Sequence, residues 1–108
     1  MIPTVTAREL ARRMANDHPV YLLDVRQAWE HEAAALPGSV LIPLNELHAR
    51  VAEIKPPEDA LVVVYCHHGI RSQSAVNLLA RFGFDNLVSL AGGIDGWSRE
   101  VDPAIARY

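Results

Sequence analysis

The stretch LVVVYCHHGIRSQSA, residues 61–75, runs a series of apolar, mostly β-branched residues directly into the chain's only cysteine. Leu61 to Cys66 reads as a strand buried on both faces, because it shows no polar alternation. His67, His68, Gly69 and Ile70 follow, then Arg71, and the pattern turns helical from about Ser72 to Arg81. Within that helix the inward face is read either as Val76, Leu79 and Ala80 or as Ala75, Leu78 and Phe82. Gly83 is placed to end it.

The same alternation extends in both directions. Upstream, Val20–Val25 (VYLLDV) and Ser39–Pro43 (SVLIP) read as strands, and downstream Asn86–Leu90 (NLVSL) does. Thr6 and Glu9 have capping-box spacing ahead of a helical face of Ala7, Leu10, Ala11 and Met14. A short helical piece is expected over Glu30–Ala35, and Pro37-Gly38 turns the chain. Leu44, Leu47, Val51 and Ile54 recur at helical spacing until Pro56-Pro57 stops them. IDGWSRE, residues 94–100, reads as a last short helix. Strands alternating with helices call for right-handed crossovers and a parallel sheet covered on both faces. No repeat, linker or low-complexity segment interrupts residues 1–108, so one α/β domain is expected.

Bulk composition narrows the function. The chain has 108 residues, half of them hydrophobic and 21% charged, which is globular and not disordered. A formal charge of −3 without a Lys/Arg cluster offers no surface for nucleic acid. A lone cysteine cannot form an internal disulfide, and no apolar run approaches the roughly 20 residues of a membrane span. The opening MIPTVTARELARR has arginines where a secretory leader needs apolar residues. A soluble cytoplasmic domain, without membrane or nucleic-acid partners, is the expectation.

Cys66 stands at the carboxyl end of the expected central strand, where open parallel sheets bind ligands. With Gly69 free to take unusual dihedrals, the loop can curl its backbone N–H groups inward above a helix start capped near Ser72. This makes an anion cradle. Arg71 adds a permanent, planar cation. A thiol held there is expected to ionise more readily than a free one and to serve as a reachable nucleophile. The competing structural reading is a cysteine filling the core, a common fate of free cysteine.

Together these segments resemble the rhodanese family of single-domain sulfurtransferases. LLDVRQAWE (Leu22–Glu30), LPGSVLIPLNEL (Leu36–Leu47) and the run from Val62 to Trp97 carry the resemblance, in order and at matching spacing. It implies a five-stranded parallel sheet with helices on both faces. It implies that Cys66 takes the outer sulfur of a donor such as thiosulfate and passes it from a persulfide to cyanide, a thiol or a carrier protein. Cys66 and Arg71 would be catalytic, with His67, His68, Gly69, Ile70 and Ser72 binding substrate. Four residues between Cys66 and Arg71 match the sulfurtransferases; the related phosphatases have five, giving room for phosphate. Two departures stand out. Ala34-Ala35 occupies the family's usual Gly-His position, and the loop carries two histidines where a basic loop would better attract thiosulfate.

Asp24 and Arg26, at the end of a strand on the same sheet edge, are expected to support the site structurally. Arg26 is spaced to pair with Glu30 at i, i+4. No cofactor is called for, and no metal. Cys66, His67 and His68 are consecutive, and three neighbours in sequence do not readily surround one ion. Gly92, Gly93 and Gly96 read as room for backbone beside the cysteine loop, Trp97 as core, and Trp29 as a rim residue. Arg8, Arg12 and Arg13 read as a solvated helix face, and the tail DPAIARY (residues 102–108) as a packed or frayed end. With no second cysteine, the sulfur acceptor must be external. The alternative functions are a non-catalytic binding module and, less favoured, a phosphatase or small-anion reductase.

Overall fold

The computed structural model describes residues 2–108. In chain order its elements are β1 (Thr4–Val5), α1 (Ala7–Ala15), β2 (Val20–Asp24), α2 (Ala28–Ala33), β3 (Val40–Leu41), α3 (Leu44–Arg50) with a 3-10 turn (Val51–Glu53), β4 (Leu61–Tyr65), α4 (Arg71–Arg81), β5 (Leu87–Leu90) and α5 (Gly93–Glu100). The strands form one sheet in the order β1-β5-β4-β2-β3. Every pairing is parallel, so all the carboxyl ends open on one edge.

The apolar run 61–66 takes the middle position, as its composition requires. Its side chains alternate between two cores. Val62, Val64 and Cys66 join Ala75, Val76 and Leu79 of α4 and Leu47 of α3 on one face. Val63 and Tyr65 join Leu10 of α1 and Ile94 and Trp97 of α5 on the other. The direction of the Cys66 side chain is therefore set by the strand's period of two: the thiol continues the α4 face.

Several sequence expectations shift. The four strands read from the sequence are joined by a fifth, β1, only two residues long and paired with β5 at Thr4↔Ser89 and Val5↔Leu90. Two residues give too short a run for periodicity to register. The SVLIP strand shrinks to Val40–Leu41, and α2 occupies Ala28–Ala33 instead of Glu30–Ala35. In α4 the two expected inward faces merge: Ser72, Ala75, Val76 and Leu79 are buried, while Ala80 and Phe82 are exposed. Thr6 and Glu9 form the expected capping box, and Gly83 lies just past α4 at φ +91°.

Candidate active site

Local backbone rules bring the pieces together. β4 ends at Tyr65, and the six residues from Cys66 to Arg71 fold into a loop over the start of α4. Gly69 sits at φ +106°, a conformation open to glycine, and this turns its N–H inward. Two backbone amides converge on the sulfur: Gly69 N at 3.1 Å and Ser72 N at 3.4 Å from Cys66 Sγ. The Ser72 hydroxyl lies 3.6 Å from Sγ and shares a 2.6 Å hydrogen bond with Ser89 Oγ of β5. The sulfur thus faces backbone donors and a hydroxyl on one side and aliphatic core on the other.

The cradle differs from expectation in two respects. α4 begins at Arg71, behind Ile70, whose side chain caps nothing; Ser72 lies inside the first turn and gives its N–H to sulfur. And Cys66 is only 1% exposed, so the thiol is covered instead of open at the loop mouth. Its place in the aliphatic cluster, as the structural reading expects, coexists with its amide contacts.

The loop hangs from α5. Ile94 N donates to the Cys66 carbonyl at 2.9 Å and Asp95 N to the His67 carbonyl at 3.1 Å. This needs backbone against backbone. A Cβ on Gly93, which sits at φ +59°, would lie 2.5 Å from the Cys66 carbonyl oxygen. Gly92 and Gly93 therefore make the close approach expected of them, whereas Gly96 does not: a Cβ there would meet the Ala91 carbonyl oxygen at 3.7 Å and no atom of the cysteine loop.

Arg71 does not stand free. Its Nη1 and Nη2 donate to Glu30 Oε1 and Oε2 at 2.6 and 2.8 Å, a bidentate pair from loop to α2. The Arg71 bonds hold the Glu30 carboxyl at a pKa of about 2, against the opposing effect of its burial. They raise the guanidinium further above its ordinary value. The expected Arg26–Glu30 side-chain pair does not form, since Arg26 reaches only the Glu30 backbone carbonyl, at 3.4 Å. The Glu30 carboxylate was missed in the sequence because its partner lies 41 residues away.

Asp24 and Arg26 form a support beneath the site, both fully buried. Asp24 accepts from Arg26 Nε at 2.8 Å, Arg26 Nη2 at 2.7 Å and the Tyr65 hydroxyl at 3.2 Å, and contacts His31 Nδ1 at 2.8 Å. Arg26 Nη2 also donates to the Ala34 carbonyl at 2.6 Å. Ala34, one of the two residues departing from the family pattern, contributes through its backbone, an interaction that its side chain does not supply.

His67 and His68 stack on each other, ring centroids 3.9 Å apart, and the opposite contact of His67 is the Tyr108 ring at 4.0 Å and 10°. Burial, with the neighbouring His68, pushes the His67 pKa down. His68 is exposed, as is Ile70 (78%). Among the described residues, ligand atoms of His67, His68 and Asp95 lie within 4.8 Å of one another. Asp95 is already held by Arg99 and Arg107, each at 3.1 Å, so a cation there would have to displace guanidinium groups. Trp97 is buried, and Trp29, 63% exposed, sits at the rim against Tyr108.

A strand-end cysteine faced by two loop amides, with an arginine six positions on from β4, marks the class of parallel α/β domain with a cysteine loop at the carboxyl edge of its sheet. The rhodanese-like domain family matches residues 6–100 of this chain. The chain belongs to that family. It is 32% identical to a sulfurtransferase of Allochromatium vinosum, covering 98% of this chain and 97% of that protein. It is also 32% identical to the adenylyltransferase/sulfurtransferase MoeZ of Mycobacterium tuberculosis, over 97% of this chain but only 27% of MoeZ. The chain therefore spans about a quarter of that longer relative. Among solved structures, a rhodanese-related protein from Thermoplasma volcanium superposes with a TM-score of 0.82 at 29% identity, covering 98% of this chain and 99% of its own. No helix among the described residues is long and apolar enough to cross a membrane.

Proposed function

We propose that this member of the sulfurtransferase family moves sulfane sulfur through a persulfide on Cys66. The observation that carries this reading is the convergence of Gly69 N and Ser72 N on Cys66 Sγ inside a four-residue Cys-to-Arg loop. Amides aimed at sulfur stabilise a negative thiolate or persulfide before and after each transfer. In the first half-reaction the Cys66 thiolate attacks the outer sulfur of a donor such as thiosulfate. A sulfur–sulfur bond forms on the enzyme, the donor's own breaks, and sulfite leaves with the electron pair. In the second half a thiophile (cyanide in an assay, a thiol or carrier protein in the cell) takes the outer sulfur and the thiolate returns.

Each loop residue has a part in this proposal. Arg71 orients the donor while its charge is balanced by Glu30. His67, His68 and Ile70 line the approach, Gly69 and Ser72 hold the sulfur, and Asp24 with Arg26 fixes the floor. A chain whose one cysteine has no partner thiol suits a reducing cytoplasm and an external acceptor.

The competing reading, a binding module without turnover, draws on the burial of the thiol. One experiment separates them. The protein is incubated with thiosulfate, its intact mass taken, and cyanide added. A gain of one sulfur that Cys66→Ser abolishes, with thiocyanate released, is the expected outcome. Absence of an adduct from thiosulfate and from polysulfide alike decides for the binding module.

A further inference from the structure

The segment after α5 returns to the cysteine loop. Ser98 Oγ donates to the Ile105 carbonyl at 2.6 Å, and Arg107 Nε reaches Asp95 Oδ1 at 3.1 Å, which directs residue 108 back over the site. There the Tyr108 hydroxyl accepts from Arg26 Nη1 at 2.7 Å and donates to Glu30 Oε2 at 2.9 Å. Its ring lies flat on His67 and meets Trp29 edge-on at 5.9 Å. The phenol is pushed up to about 12 by burial, so it stays protonated as both donor and acceptor at neutral pH.

These contacts grip both ends of the loop. His67, the residue after the thiol, is pinned by the ring. Arg71, the last loop residue, is pinned by the carboxylate that the hydroxyl engages. Between them the sulfur is 1% exposed.

We propose that Tyr108 is a positioning residue that clamps the cysteine loop shut over Cys66, so that a sulfur donor reaches the thiol only when the tyrosine swings off His67 and Glu30. A part-buried hydroxyl with two charged partners and a stacked ring resists opening. When it leaves, Arg26 Nη1 and Glu30 Oε2 lose a shared partner, and His67 loses the ring stacked on it.

The clamp bears on catalysis only under the sulfurtransferase reading, yet it is measurable without turnover. The second-order rate of Cys66 alkylation by iodoacetamide is compared in wild type, Tyr108→Ala and Tyr108→Phe, with thermal melting confirming the fold. A rate at least about ten-fold faster in Tyr108→Ala, with Tyr108→Phe slower than Tyr108→Ala because it keeps the stack, is expected. A folded Tyr108→Ala protein alkylated at the wild-type rate overturns the clamp. Should that variant fail to fold, Arg107→Ala, which only unties the segment from Asp95, decides in its place: faster alkylation supports the clamp and an unchanged rate overturns it. Faster alkylation without any persulfide from thiosulfate or from polysulfide leaves the clamp standing and removes the sulfurtransferase reading; persulfide formation with unchanged alkylation does the reverse.

Discussion

Glu30 holds both terminal nitrogens of Arg71, at 2.6 and 2.8 Å, and in doing so neutralises the one cation of the cysteine loop. Under the proposed sulfur transfer, an anionic donor approaching Cys66 would therefore meet a guanidinium whose charge is already balanced. Replacing Glu30 by Gln keeps an oxygen for one hydrogen bond but unmasks the positive charge. The expected result is a several-fold lower KM for thiosulfate at low ionic strength, with the gain lost as salt is added. Steady-state kinetics across a salt series checks it, and an unchanged or higher KM contradicts it.

The same pair sets an acid limit. The Glu30 carboxyl, lowered from 4.5 to about 2 by Arg71, contributes stability that is fully present above pH 4.5 and fades as pH falls toward 2. Glu30→Gln has no such proton to gain. Wild type is therefore expected to lose its stability advantage over the variant across that window. Urea melts at successive pH values, with tryptophan fluorescence reporting the exposure of the buried Trp97, measure the difference. A gap that stays constant from pH 5 to pH 2 refutes the assignment.

Beneath the site, Asp24→Ala strands the buried Arg26 charge. Removing one partner of a buried ion pair costs about 3–5 kcal/mol. Denaturant unfolding is expected to show a loss of that order. A loss below about 1 kcal/mol, the scale of an exposed pair, means Arg26 finds water when its partner goes.

Gly93→Ala tests the suspension of the loop from α5. The new Cβ would collide with the Cys66 and His67 carbonyls at a positive φ. Strain of this kind costs on the order of 1–3 kcal/mol. The outcome expected is a lower melting temperature together with loss of persulfide formation, since the carbonyls must shift and the sulfur with them. Wild-type melting and labelling would show that the loop has slack.

His68→Ala probes the approach to the loop. The ring is exposed and stacked on His67. Its removal is expected to alter donor preference and the pH profile of transfer while leaving stability within about 0.5 kcal/mol, the usual range for surface changes. Identical donor preference and pH profile reduce His68 to a solvated side chain.

What could be read from the sequence was what is local. The run Leu61–Cys66 announced its central position through composition, and its period of two fixes which core receives the thiol. The spacing of Cys66, Gly69 and Arg71 gave the cradle, because backbone curling needs only neighbours. Relationships across long separations stayed hidden. Nothing near Arg71 marks Glu30 as its partner, and nothing in DPAIARY marks Tyr108 as lying on His67 and Arg26, 82 residues from the latter. β1 escaped because a two-residue strand has no pattern; only its partner β5 makes it a strand. The depth of the thiol was misjudged for a related reason: Val25, Ile42 and Leu47, which share its aliphatic cluster, come from far away in the chain.

The pairing of β1 with β5 has a temporal side. β1 must wait for β5, the last strand of the sheet in chain order, before it finds its place, at Thr4↔Ser89 and Val5↔Leu90. The loop around residue 66 likewise takes its final shape only after Ile94 and Asp95 have been translated. A nascent chain can assemble its middle strands early, but the loop around residue 66 is anchored only once α5 has emerged.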